Sequence, residues 1–105
     1  MEKFLENESL VLYLKRLINK IYKLMPMKEN NDVNYLLYLA KVISQLNGGK
    51  YFMSKNHSFI EIIFNLESLY DINDLKLHNS IVKESISLCD KLIKELELVG
   101  DNDEL

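Results

Sequence analysis

The chain has 105 residues with 48% hydrophobic and 28% charged side chains and a formal charge of −3, which sets one domain with one modest core and is the composition of a globular protein. Three glycines and one proline are too few for the turns of a sandwich or barrel of short strands, and nineteen leucines favour helix. The negative balance gives no general reason to expect nucleic acid or an acidic membrane as a partner.

The first helix is predicted over about residues 8–25. Leu10, Leu14, Leu17, Ile21 and Leu24 follow at steps of four, three, four and three, which places them on one face. Pro26 is expected to stop this helix. A polar link follows, and Asp32 is suited to cap a second helix over about 32–47. Val33, Leu36, Leu37, Ala40 and Ile43 line one side of it, and Tyr35, Leu39, Val42 and Leu46 a neighbouring side. An apolar arc that wide implies either the most buried helix or a face kept for a partner. Gly48-Gly49 is read as its stop.

Lys50 to His57 is then expected to be a loop carrying Tyr51, Phe52 and Met53. The third helix is predicted over about 58–70, with Ser58 and Glu61 at the spacing of a capping box. Ile60, Ile62, Ile63 and Phe64 also suit a strand, but the three-four spacing of Phe59, Ile62, Ile63 and Leu66 favours helix. The last helix is predicted over about 75–99, with Val82, Ile86, Cys89, Ile93 and Leu96 as its seam. Gly100 ends it, leaving an acidic tail over 100–105. These four amphipathic segments with short links predict an all-α fold, a four-helix, largely antiparallel bundle, as a single domain over 1–105.

Catalytic and metal-binding motifs are weak. His57, His78 and Cys89 are the candidate nucleophile and base for a remote hydrolase-like reading, but Cys89 lies in an apolar seam where a thiol packs as a small hydrophobe. There is no CxxC or HxxxH. The run from Asp71 to Asp74 begins like a calcium loop but has Lys76 and Val82 where glycine and glutamate are needed. Gly48-Gly49-Lys50 lacks the rest of a phosphate loop. No catalytic residue, metal or cofactor is expected.

Two binding readings remain. The stronger is a non-enzymatic protein-interaction module, an adapter, inhibitor or accessory subunit, using Tyr35, Tyr38, Tyr51, Phe52 and Met53. Large aromatic residues and methionine are enriched at interfaces, and three in a row sit awkwardly in a solvent-facing loop, unless that loop plugs the bundle end. The heptad-like seam from Leu10 to Leu24 raises self-association into a homo-oligomer as well, although it spans only about two heptads and packing within the chain explains it more economically. The other reading is a nucleic-acid accessory factor using Lys15, Arg16, Lys20 and Lys23, with six cations against three acids over residues 1–28. The acidic C-terminal end opposes it. One cysteine, no secretory leader and no long apolar run point to the cytoplasm and to no membrane. Twelve lysines to one arginine point to an AT-rich source, a low-GC bacterium or its phage.

Overall fold

A computed structural model describes residues 2–53 and 56–103, and side-chain surroundings over 8–49 and 56–98. The described chain is all-α, with no strand: α1 (Glu2–Tyr22), α2 (Leu24–Glu29), α3 (Tyr35–Met53), α4 (His57–Ser68) followed by a 3-10 turn (Leu69–Asp71), and α5 (Leu75–Asp103). Because α2 continues α1 after a break at Lys23, the helices form four rods. None is long and apolar enough to cross a membrane.

Pro26 does not end the first helix where the sequence suggested. It breaks the helix further upstream. A proline in mid-helix clashes with the carbonyl four residues earlier and offers it no N–H. That carbonyl belongs to Tyr22, the last residue of α1. Restarting at Leu24 puts Pro26 in the first turn of α2, where an N–H has no intrahelical partner anyway. The chain then leaves α2 through Asn31, which among the described residues is the one non-glycine residue with positive φ, 52°. The Asp32 N–H donates to the Met27 carbonyl at 2.9 Å and the Asn31 N–H to that of Lys28 at 3.2 Å. This 6→1 and 5→2 pair is a Schellman ending, and asparagine tolerates its left-handed position. The Asp32 carboxylate accepts the Asn34 N–H at 2.8 Å, so it organises the turn that leads into α3.

Further boundaries differ from expectation, and α3 itself begins at Tyr35 and not at Asp32. Gly48-Gly49 does not stop α3, which runs on to Met53. Tyr51, Phe52 and Met53 are therefore on a helical turn and not in a loop. At α4 the cap is Asn56 in place of Ser58. Its side chain accepts the Phe59 N–H at 3.0 Å, which leaves Ser58 inside the first turn. Gly100 also fails to end α5, whose backbone stays helical to Asp103; Glu104 and Leu105 of the expected acidic tail lie outside the described residues.

The core is one cluster. Leu14, Leu17, Ile21 and Leu24 come from α1 and α2, and Leu39, Val42 and Leu46 from α3. Phe59, Ile62 and Leu66 come from α4, and Val82, Cys89 and Leu92 from α5. The spine is α5, packed along α1 and against α4 and α2, while α3 leans on α4 and α2. Twenty-nine residues at about 1.5 Å each give a rod of about 44 Å, which accounts for most of the 49 Å long axis of the 49 × 21 × 20 Å molecule. Two polar residues, His78 and Ser85, are fully buried on α5. They stand at steps of four and three around Val82, so the true seam runs His78, Val82, Ser85, Cys89, Leu92. The Ser85 hydroxyl donates to the Ile81 carbonyl at 2.9 Å, which removes the penalty of burying it unpaired.

Candidate functional site

The wide apolar arc of α3 is split by the fold. Tyr35, Leu39, Val42, Ile43 and Leu46 face the core. Val33 is 96% exposed, Leu36 59% and Leu37 61%, and Ala40 is exposed beside them. Val33 precedes the helix, and the positions 33, 36, 37 and 40 have the i, i+3, i+4, i+7 spacing of a single helical face. Ser44 and Gly48 continue it at steps of four, also exposed. Among the described residues this face covers no other element.

At the far end of α3 a cleft of about 800 Å³ opens against α1. Leu10, Leu12, Tyr13 and Leu17 line it from α1, and Gln45, Gly48 and Gly49 from α3. Arg16 and Lys20 line it too, and among the described residues they are the charged members of the lining. The two helices are tied around the cleft by polar contacts. The Tyr13 hydroxyl donates to the Gln45 carbonyl at 2.7 Å, Lys20 Nζ donates to Gln45 Oε1 at 2.8 Å, and the Tyr38 hydroxyl donates to the Lys20 carbonyl at 2.9 Å. Burial pushes the Tyr13 phenol up to about 12, with a smaller contribution from Cys89.

The glycine pair has two separate explanations. A Cβ on Gly49 would stand 2.7 Å from the Tyr13 hydroxyl oxygen and 3.0 Å from its Cζ. Gly49 thus allows α1 and α3 to approach. A Cβ on Gly48 would meet nothing within 4 Å. Glycine in mid-helix costs about 1 kcal/mol relative to alanine, and among the described residues no packing neighbour requires it at position 48. It adds no side chain of its own to the cleft wall.

A second polar constellation lies inside the molecule. The His78 ring is fully buried. Its Nδ1 is 3.0 Å from the Asn79 side-chain oxygen, an acceptor, so Nδ1–H donates. That leaves Nε2 to accept the Tyr35 hydroxyl at 2.6 Å. Lys28 Nζ stands 5.0 Å over the Tyr35 ring, within reach of a cation–π attraction. Burial holds His78 below its ordinary range, the Asn79 bond works against that shift, and Lys28 adds to it. Burial, with a smaller effect from Tyr70, pushes Tyr35 up to about 12. The histidine is neutral at pH 7 and joins α3 to α5.

The residues singled out by sequence are distributed as follows. Tyr35 is 6% exposed and bonded to His78, so its side chain is not offered to a partner. Tyr38 is half-buried and tied to α1. The side chains of Tyr51, Phe52 and Met53 lie outside the described residues. Of the basic set, Arg16 and Lys20 meet at the cleft, whereas Lys15 and Lys23 are exposed away from its lining. His57 is exposed at the start of α4. Cys89 is buried, its thiol pushed up to about 12 by that burial. It stands eleven residues from His78, about 16 Å along α5, so the fold does not pair them. Among the described residues no three His, Cys, Asp or Glu side chains gather as a metal site would require. The outer α3 stripe was visible in the sequence as part of a wide arc. The cleft was not, because its walls come from two helices.

No family model matches the sequence, and the comparisons with curated proteins and with solved structures give no significant match.

Proposed function

We propose that the protein is a small non-enzymatic interaction module, an adapter, inhibitor or accessory subunit, that binds a protein partner along the outer face of α3. The reading rests on Leu36, Leu37 and Ala40, apolar residues on one face of α3 left to solvent, with Val33 exposed in the turn just before them. Exposed apolar surface of this kind favours burial against another molecule. A helix presenting anchors at i, i+3, i+4 and i+7 is a recurrent way of filling a partner's groove. Burying Leu36 and Leu37 would contribute roughly 2–4 kcal/mol together, from area alone. The reading takes the four rods as a largely antiparallel bundle, which short links favour. Tyr38, Tyr51, Phe52 and Met53 on the same helix are proposed to flank the contact.

A photo-crosslinking residue placed at Leu37 in the native host tests it. The expected result is one defined adduct, either with a partner protein or with a second copy of the chain. Leu36→Asp with Leu37→Asp should abolish binding with no change in helical circular dichroism, and Tyr51→Ser with Phe52→Ser should weaken it. If position 37 traps nothing beyond what the same probe traps at exposed Lys76, the proposal is wrong.

A further inference from the structure

We propose that the cleft between α1 and α3 binds a small amphipathic anion, an alkyl chain of medium length ending in a carboxylate or phosphate. Pockets for small ligands have volumes of about 300–1,000 Å³, mostly apolar walls and a few placed polar groups. The cleft, at about 800 Å³, meets that description. Leu10, Leu12 and Leu17 supply the apolar surface, and bare Gly48 leaves the α3 wall open beside them.

The cations of the lining select the head group. Arg16 and Lys20 are one helical turn apart and both line the cleft. Neither belongs to the salt bridge found among the described residues, which joins Asp90 to Lys94 on α5. Lys20 spends its ammonium on the neutral amide oxygen of Gln45, an acceptor that an anion would readily outcompete because charge-assisted bonds are roughly twice as strong. A guanidinium and an ammonium side by side suit the oxygens of one carboxylate or phosphate. The outer face of α3, by contrast, offers no such cationic pair and would take a chain without regard to its charge.

Calorimetric titration of the full chain with decanoate, decyl phosphate and decanol tests this, with amide chemical shifts mapping the contact. Decanoate or decyl phosphate is expected to bind saturably at one per chain, with shifts centred on residues 10–20 and 45–49. Decanol should bind at least tenfold more weakly. Arg16→Gln with Lys20→Gln should weaken the anion at least tenfold, and Lys76→Gln with Lys91→Gln should not. Gly48→Leu should block the chain, whereas Gly48→Ala should leave affinity within about twofold; helical circular dichroism checks that both fold. Saturable binding of decyl phosphate but not decanoate, or the reverse, fixes the head group within the proposal. Equal affinity for decanol and the two anions, shifts confined to Leu36 and Leu37, or no saturable binding would each overturn it.

Discussion

Gly48 and Gly49 are adjacent residues of one helix with opposite constraints. Gly48→Ala should raise stability by about 1 kcal/mol, because alanine removes the backbone-entropy penalty and meets no neighbour. Gly49→Ala should gain the same propensity but push the Tyr13 ring aside and break its bond to the Gln45 carbonyl. It should therefore fall below Gly48→Ala by about 1–2 kcal/mol. Urea denaturation of both variants makes the comparison, and similar stabilities would show that the ring moves freely. Tyr35→Phe removes the donor to His78 Nε2 and leaves a buried acceptor unpaired, a loss of about 1–3 kcal/mol.

At the scale of elements, the joints between helices are held by single residues. Asn31→Ala removes the short polar side chain that lets asparagine tolerate left-handed backbone and should destabilise by about 1 kcal/mol. Asn56→Ala removes the α4 cap and should do the same. Thermal melts of each variant would register either loss as a few degrees. The same joints show what could be read from sequence. The seam of Leu14, Leu17, Ile21 and Leu24 follows from spacing, because each residue's contribution to a helical face depends only on its neighbours in the chain. The role of Gly49 depends on Tyr13, thirty-six positions away, so local chemistry suggested a helix stop. His78 and Ser85 interrupt the apolar pattern of α5, so the periodicity hid two buried positions that are satisfied by Tyr35, Asn79 and a backbone carbonyl. The α3 arc was legible as too wide, but which half stays exposed is decided by α4 and α2.

For the whole molecule, the buried titratable groups define a pH window. His78 is held below its unfolded value near 6.5, so the unfolded chain binds more protons as pH falls. Its contribution to stability is complete above about 6.5 and is lost as pH drops through the lower folded value. Tyr13 and Tyr35 are raised from 10.0 to about 12. Their contribution is complete below 10 and is lost as pH rises through about 12. Denaturation across pH is expected to give a plateau between these limits. Tyrosinate absorbance should retain a late step near pH 12 that shrinks in Tyr13→Phe. If stability is as high at pH 5 as at pH 7, the His78 assignment fails.

The single thiol of Cys89 lies midway along the central helix with no solvent exposure. Only an opening that separates α5 from its neighbours delivers it to a reagent, and only the thiolate reacts. The protein therefore carries its own clock: modification by a disulfide probe in native buffer should proceed at the rate at which the core transiently opens, not at the rate of the free thiol. Asn56→Ala should quicken that clock, Gly48→Ala should slow it, and Gly49→Ala should run faster than Gly48→Ala.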